Sequence, residues 1–227
     1  MPPPKVHSRK SCLLYLITNR RAFLPNDGQI EAVERAARAG CQLIQVREKD
    51  LSARALGDFV QRVIDVARPH GARVLVNDRL DVALAAGADG VHLRANSLPA
   101  SEVRRIVSGK DFLIGVSTHS LVEIQTAERG GADFVVYGPV YDTASKREYG
   151  APLGPRNLAQ VCKASSIPVL AIGGINLGNF REALQCGAAG IAAIGIFTDP
   201  DLIEQNIQTM QIRLSGASAS VPGRTAA

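Results

Sequence analysis

Tryptophan is absent from the 227-residue chain, and aromatic residues make up only 4% of it. The formal charge is +5, but no dense run of lysine and arginine accompanies it and no series of aromatic side chains is present for stacking bases. Part of the basic excess lies near the two ends, at Lys5, Arg9, Lys10 and Arg224. The composition therefore argues against a nucleic-acid-binding protein and favours small phosphorylated ligands.

Cysteine is scarce, and the hydrophobic runs are short. Cys12, Cys41, Cys162 and Cys186 form no CxxC pair and no metal-binding spacing, and each lies in or beside an apolar run. We therefore expect buried free thiols in a reducing compartment. The apolar run at 12–17 is too short to span a membrane, and it is followed by two arginines rather than a small-residue cleavage site. These features predict a cytoplasmic protein with no membrane segment.

A glycine recurs a few residues before most of the apolar runs. These glycines are Gly40, Gly71, Gly87, Gly109, Gly131 and Gly187. Glycine suits the left-handed position that ends a helix, so each glycine predicts a helix followed by a strand. A first strand at 13–18 and a further strand at 168–172 complete a set of eight, at about 25 residues per repeat.

Helices are predicted in the gaps, near 28–39, 52–70, 79–86, 100–108, 120–130, 156–164, 177–186 and 200–213. Alternating strands and helices of this number predict an α/β fold, a single (β/α)8 TIM barrel over residues 12–214. An open doubly wound sheet is the alternative, which the lack of a GxGxxG motif after the first strand disfavours. The flanking segments 1–11 and 215–227 are expected to be disordered tails.

The second predicted strand ends in an unusual group of polar residues. Gln45, Arg47 and Lys49 are spaced two residues apart, so a continuing strand would place them on one face. Two cations at the end of a buried parallel strand need an anionic partner, and phosphate suits both side chains. An exposed edge strand is the alternative interpretation.

Asn77 and Asp78 follow the third predicted strand and permit two interpretations. Asp78 precedes a predicted helix and is a good candidate for its N-cap, as are Ser52 and Ser120 for theirs. Alternatively, Asp78 is a ligand of Mg2+ and Asn77 contacts a polar ligand.

Two later segments carry groups that suit phosphate. The long connection after the sixth strand contains Thr143, Ser145 and Lys146, and a solvated loop is the alternative interpretation there. Glycines end the seventh and eighth strands, at Gly173-Gly174 and Ile194-Gly195, where TIM barrels commonly bind phosphate with backbone N–H groups. The sequence therefore predicts two separate phosphate sites.

Histidines follow the fourth and fifth strands. We interpret His92 as a packing or hydrogen-bonding residue. His119 lies at the predicted barrel mouth and is a candidate general acid or base.

These segments together resemble the family of thiamine-phosphate synthase and thiazole tautomerase over about residues 12–213. The segments similar to the family's pyrimidine-pyrophosphate site are Gln45-Val46-Arg47-Glu48-Lys49, Asn77-Asp78, Gly115-Val116-Ser117 and Thr143-Ala144-Ser145-Lys146. Gly173-Gly174 and Ile194-Gly195 are similar to its thiazole-phosphate site.

The resemblance implies an enzyme that couples aminopyrimidine pyrophosphate to thiazole phosphate and releases pyrophosphate, with Mg2+ as cofactor. By resemblance, the catalytic residues are Arg47, Lys49, Lys146 and Ser117: the three cations would stabilise the charge of the leaving group, and Ser117 would bond the pyrimidine or the pyrophosphate. The resemblance implies the following substrate-binding residues: Gln45, Val46, Arg47, Glu48, Lys49, Asn77, Ser117, Thr143, Ala144, Ser145, Lys146, Gly174, Ile194 and Gly195. It also implies that Asp78 and the residue at position 97 hold the metal.

One departure from the family pattern lies after the fourth strand. Ser97 stands where the synthases carry a second metal-binding aspartate, and no carboxylate occurs between Asp89 and Glu102. This serine also resembles the tautomerase, which uses a histidine after strand five, here His119. A non-catalytic thiazole-phosphate binding protein is the third alternative. The oligomeric state stays open, with a homo-oligomer as one option.

Overall fold

A computed structural model of the protein describes residues 12–23, 28–143, 150–199 and 201–215. The predicted tails lie outside these ranges, apart from Ser215, and so do Ala144, Ser145 and Lys146. The strands are β1 (Leu13–Ile17), β2 (Leu43–Val46), β3 (Arg73–Asn77), β4 (Gly90–Leu93), β5 (Leu113–Thr118), β6 (Phe134–Tyr137), β7 (Val169–Ile172) and β8 (Gly190–Ala193). They pair in parallel and in chain order, and β8 pairs with β1, so the sheet is a closed barrel.

A helix follows each strand. The helices are α1 (Gly28–Arg38), α2 (Ala53–Ala67), α3 (Leu80–Ala85), α4 (Ala100–Ile106), α5 (Leu121–Arg129), α6 (Gly154–Ala164), α7 (Phe180–Gln185) and α8 (Ile203–Ser215). The predicted TIM barrel is therefore confirmed. Within the described ranges, none of the helices combines the length and apolar character needed to cross a bilayer.

Glycine ends the predicted helices as expected. All six glycines that precede apolar runs have positive φ, for example +101° at Gly40 and +95° at Gly187. The two predicted serine caps are confirmed, because Ser52 Oγ accepts the Ala55 N–H and Ser120 Oγ accepts the Glu123 N–H, each at 3.3 Å. The alternative role of Asp78 as a cap is wrong, since the N-cap of α3 is Arg79.

Two apolar clusters form on the opposite faces of the barrel wall. The outer cluster joins the strands to the surrounding helices. The inner cluster fills the barrel and includes Leu43, Leu75 and Leu113. Burying a leucine of this kind stabilises the fold by about 1.5–3 kcal/mol.

The barrel interior changes character along its axis. Gln45, Asn77 and His92 lie on the same strand faces as the inner apolar cluster but nearer the carboxyl ends, because inward positions recur every two residues. The interior is thus apolar at the amino end of the strands and polar at the mouth. This change places the polar groups where TIM barrels carry their chemistry.

Candidate active site at the barrel mouth

A pocket of about 230 Å³ opens beside the carboxyl ends of β2, β3 and β4. Its polar lining consists of Glu48, Lys49, Asn77, Asp78, Arg79 and Arg94. Three of these side chains are cations and two are carboxylates. The structure therefore brings together the segments after strands two, three and four. Of the predicted cations, Lys49 lines this pocket, whereas Arg47 is not among its lining residues and Lys146 lies outside the described residues.

Arg47 lies directly after β2 and is half-buried. Burial lowers the pKa of its guanidinium, and the positive charge of Arg94 lowers that pKa further, while Glu48 opposes both effects. The guanidinium stays charged, because arginine titrates far above neutral pH. Positive charge held half-buried at this place favours an anionic ligand.

Glu48 connects β2 to the segment after β1. Its carboxylate accepts the Thr18 hydroxyl at 2.6 Å and the Arg20 backbone N–H at 3.1 Å. Burial raises the pKa of Glu48, and these two hydrogen bonds oppose that rise. Thr18 Oγ1 also accepts the backbone N–H of Arg47 at 2.9 Å, so Thr18 and Glu48 fix the chain on both sides of the arginine.

Val46 is buried in the outer apolar cluster and lines the pocket, and Lys49 lines it with an exposed side chain. Direct contact of Gln45, Val46, Glu48 and Lys49 with a substrate stays a prediction. The chain leaves the strand after Val46. Strand alternation alone therefore does not bring Gln45, Arg47 and Lys49 together, because Arg47 and Lys49 lie in the loop that follows β2.

Asp78 has a left-handed backbone, with φ of +66°, and both of its carboxylate oxygens accept hydrogen bonds. Arg94 donates to Oδ2 from Nε at 3.1 Å and from its terminal nitrogen at 2.7 Å, while the Ser97 hydroxyl donates to Oδ1. Ser97 Oγ also accepts the Arg94 backbone N–H at 2.7 Å. Burial alone would raise the pKa of Asp78, but the bonds from Ser97 and Arg94 hold it below its usual value.

This arrangement does not fit a magnesium ion held by the protein. Both Asp78 oxygens already accept hydrogen bonds, one of them from a guanidinium that neutralises the carboxylate. Among the described residues, no group of three or more His, Cys, Asp or Glu side chains is placed to hold a metal. The roles of Asp78 and Ser97 as metal ligands stay predictions from the family resemblance.

Ser117 is connected to Gln45 through the barrel interior. His92 Nε2 lies 2.8 Å from Ser117 Oγ, and His92 Nδ1 lies 3.2 Å from the Tyr15 hydroxyl. Gln45 Nε2 donates to the same hydroxyl at 3.1 Å. His92 is therefore a buried hydrogen-bonding residue, as interpreted from the sequence.

Tyr15 was not identified from the sequence. It stands at an inward position of β1 between Leu13 and Ile17. A tyrosine in an otherwise apolar buried strand must find a partner for its hydroxyl, and this requirement is a usable sequence signal.

His119 lies at the exposed rim of the mouth, one residue after β5. Its Nδ1 is 2.5 Å from the Gly138 carbonyl oxygen, which can only accept, so Nδ1 carries the proton. Thr143 is half-buried at the edge of the described range. The predicted phosphate contacts of Ala144, Ser145 and Lys146 lie outside the described residues.

The segments after β7 and β8 present backbone to the mouth. The Gly174 carbonyl accepts the Asn179 side-chain amide at 2.8 Å, which fixes the turn that leads to α7. Gly195 begins a short 3-10 helix, Gly195–Phe197, and a side chain added there would meet open space. Phosphate binding by Gly174, Ile194 and Gly195 stays a prediction.

Comparisons with known proteins agree with the resemblance seen in the sequence. The family model described as "Thiamine monophosphate synthase" matches residues 14–197. A thiamine-phosphate synthase of Methanospirillum hungatei is 40% identical over 84% of this chain and 92% of its own. One from Chlorobium phaeobacteroides is 41% identical over 83% of this chain and 90% of its own.

A solved structure extends the likeness to three dimensions. The thiamine phosphate pyrophosphorylase from Pyrococcus furiosus superimposes with a TM-score of 0.79 at 32% identity, over 93% of this chain and 99% of that chain. The barrel, the charged mouth and these relatives lead to one assignment. The chain belongs to the thiamine monophosphate synthase family.

Proposed function

We propose that this protein couples aminopyrimidine pyrophosphate to thiazole phosphate, forming thiamine phosphate and pyrophosphate. The carbon–oxygen bond of the pyrimidine methylene breaks and its electron pair leaves with pyrophosphate. The thiazole nitrogen then donates its lone pair to form the new carbon–nitrogen bond. The observation that carries the proposal is that Lys49 and Arg94 line one pocket at the mouth of a barrel of this family, with Arg47 near enough for the charge of Arg94 to lower its pKa.

The cations act on the leaving group. Charge on the departing oxygen grows in the transition state, so fixed positive groups stabilise the transition state more than the bound substrate. Arg47 is half-buried, and the Thr18 hydroxyl, itself held by Glu48, accepts its backbone N–H and so fixes the chain from which the guanidinium projects. We assign the same role to Lys146 on the family resemblance alone.

The second substrate is assigned to the other side of the mouth. Backbone N–H groups near Gly174, Ile194 and Gly195 suit the phosphate of thiazole phosphate. The family resemblance assigns Gln45, Asn77 and Ser117 to the aminopyrimidine substrate. Asn77 lines the pocket and Ser117 is half-buried at the mouth, whereas Gln45 is 2% exposed and would act from within the barrel interior.

Several expectations stay predictions alongside this function. The Mg2+ that the family resemblance implies does not fit the arrangement at Asp78 as a protein-held ion. Cytoplasmic localisation, homo-oligomerisation and the division into one catalytic domain with two tails are proposed from the sequence. Small phosphorylated substrates are the partners that the family implies.

Thiazole tautomerase is the second candidate function. The observation that favours it is Ser97 hydrogen-bonded to Asp78 in place of a second carboxylate, together with the rim position of His119. A tautomerase isomerises the thiazole and needs a general acid or base, whereas the coupling reaction needs no proton removed there.

One experiment separates the two functions. Purified protein is supplied with aminopyrimidine pyrophosphate, thiazole phosphate and Mg2+, and thiamine phosphate and pyrophosphate are measured; isomerisation is followed separately with the thiazole phosphate carboxylate. We expect both products, and we expect His119→Ala to keep most of the coupling rate. Thiazole isomerisation that falls about 10²–10⁴-fold in His119→Ala, without any thiamine phosphate from the wild type, would establish the tautomerase instead.

A further inference from the structure

Four polar side chains form an unbroken row of hydrogen bonds across the barrel interior. The row runs from Gln45 on β2 to Tyr15 on β1, then to His92 on β4 and Ser117 on β5. Gln45, Tyr15 and His92 are each at most 2% exposed. Ser117 is half-buried, so only the last member of the row reaches the mouth.

Counting hydrogens gives the row a direction. Gln45 Nε2 donates to the Tyr15 oxygen, so the single Tyr15 hydrogen is available for His92 Nδ1. A neutral imidazole has one N–H, and if Nδ1 accepts, that N–H is on Nε2. Nε2 then donates to Ser117 Oγ, and the hydroxyl hydrogen of Ser117 is left for an acceptor outside the row.

The surroundings keep His92 neutral and in place. Burial, followed by the charge of Arg47, lowers the pKa of His92 to about 3, so the ring carries a single proton at neutral pH. Its ring lies against Phe134 at a centroid distance of 6.2 Å, and Phe134 meets Tyr15 edge-on at 5.5 Å. A side chain at Gly115 would come within 2.8 Å of His92 Nδ1, so this glycine leaves the space that the ring occupies.

We propose that Tyr15 and His92 are positioning residues that present the Ser117 hydroxyl as a hydrogen-bond donor to an acceptor atom of the pyrophosphate-bearing substrate. This inference rests on the proposed function for the identity of that substrate. The acceptor is either a pyrophosphate oxygen or a ring nitrogen of the pyrimidine, and both take the same donor. All the hydrogen bonds within the row join side chains of the protein to one another.

The first test reads the histidine tautomer in the wild-type protein. Long-range proton–nitrogen NMR of the imidazole is expected to show His92 with hydrogen on Nε2 and none on Nδ1. Hydrogen on Nδ1 would reverse the row and overturn the proposal. This measurement requires neither a variant nor activity, so a failure of the proposed coupling function does not affect it.

The second test measures binding of aminopyrimidine pyrophosphate to Tyr15→Phe, Ser117→Ala and the double variant. Each single change is expected to weaken binding about two- to tenfold, the value of one hydrogen bond. The double variant is expected to be no weaker than Ser117→Ala, because Tyr15 acts only through that hydroxyl. Additive losses would show that Tyr15 has only a structural role and would overturn the proposal.

Two controls complete the design. Tyr137→Phe removes a hydroxyl from another buried tyrosine, which belongs to the outer cluster rather than to the row, and its binding is expected to match the wild type. Inorganic pyrophosphate is the second ligand. If Ser117→Ala weakens the binding of inorganic pyrophosphate, the acceptor is a pyrophosphate oxygen. If it weakens only the binding of aminopyrimidine pyrophosphate, the acceptor is on the pyrimidine. If Ser117→Ala weakens neither ligand, the proposal is overturned.

Discussion

The two sides of the barrel mouth use different chemistry. The β2–β4 side presents the charged side chains Lys49, Asp78 and Arg94, with Arg47 close to Arg94, and Asp78 and Arg94 are paired with one another. The β7–β8 side presents glycine-rich backbone. We call these two surfaces the charged side and the backbone side.

The backbone side is held by its neighbouring loop. The Val140 N–H donates to the Ile172 carbonyl at 2.8 Å, and the Tyr141 N–H donates to the Gly173 carbonyl at 3.0 Å. A Cβ at Gly173 would lie 2.5 Å from Pro139 Cα, and one at Gly174 would lie 2.4 Å from the Asp142 carbonyl oxygen. The shape of the backbone side is therefore set by close backbone packing, whereas the charged side is defined by the charged side chains that it carries.

The largest effect is expected from Arg47→Ala on the charged side. Losing charge-assisted bonds of about 1.5–3 kcal/mol to pyrophosphate should lower kcat/KM for aminopyrimidine pyrophosphate about 10- to 150-fold. Turnover should fall as well as binding, because the leaving group gains charge in the transition state. Steady-state kinetics with each substrate varied will show this. Arg54→Ala, at the exposed start of α2, is the control, and unchanged kinetics in Arg47→Ala would contradict the role of the charged side.

The neutral state of His92 beneath the charged side predicts a pH dependence of stability. Its pKa is about 3 in the folded protein and about 6.5 when unfolded, so the unfolded chain binds more protons between these values. Stability is then lost as pH falls below about 6.5, by about 2 kcal/mol between pH 7 and pH 5. Denaturant unfolding at pH 7 and at pH 5 measures this loss of stability.

The variant for comparison is His92→Gln. Its loss of stability between pH 7 and pH 5 should be about 2 kcal/mol smaller than that of the wild type. His70→Gln changes an exposed histidine and should leave the pH dependence as it is in the wild type. An equal loss in His92→Gln and the wild type would show that His92 is not held neutral by the fold.

Arg94 and Ser97 test whether the charged side depends on a divalent ion. Arg94 stands at a carboxylate where the family resemblance implies magnesium, so we expect inorganic pyrophosphate to bind the wild type in EDTA. Arg94→Ala should weaken that metal-free binding about tenfold, the effect of one charge-assisted bond. Ser97→Asp should instead make binding depend more steeply on Mg2+ in calorimetric titrations. If neither variant alters binding in EDTA or with Mg2+, Arg94 does not stand in for a metal.

The smallest effect is expected from Gly195→Ala on the backbone side. Open space surrounds this position, so thermal stability should be unchanged. A methyl group there should crowd the phosphate of thiazole phosphate and raise its KM about two- to tenfold, the value of one hydrogen bond. The KM for aminopyrimidine pyrophosphate should stay constant. An equal change in both KM values would remove the distinction between the two sides.

The fold was predictable because it repeats. Each helix-ending glycine imposes a left-handed turn, and the apolar run after it becomes the next strand, so local signals agreed with the global arrangement. The helix boundaries were less accurate. The helix predicted over 177–186 is α7 (Phe180–Gln185), because Asn176 and Asn179 form a hydrogen-bonded turn before it begins.

The site was predictable only in part, because its contacts join residues far apart in sequence. Strand alternation places His92 and Ser117 inward but does not reveal that they touch across 25 positions. The pairing of Asp78 with Arg94 depends on a left-handed backbone that the sequence does not show, since aspartate adopts it only occasionally. Sequence reasoning therefore located the polar strand ends but not their pairing.

The apolar lower half of the barrel has a consequence for how quickly substrate arrives. Leucines beneath the mouth exclude water, so the charge of Arg47 is screened by solvent mainly from above. Its field therefore extends outward, and with a net charge of +5 the protein attracts a pyrophosphate-bearing molecule before contact. Such attraction reaches about 10 Å at 0.1 M salt and shortens as ionic strength rises. Salt thus slows capture on the charged side, while the backbone side, which uses short-range hydrogen bonds, is affected much less.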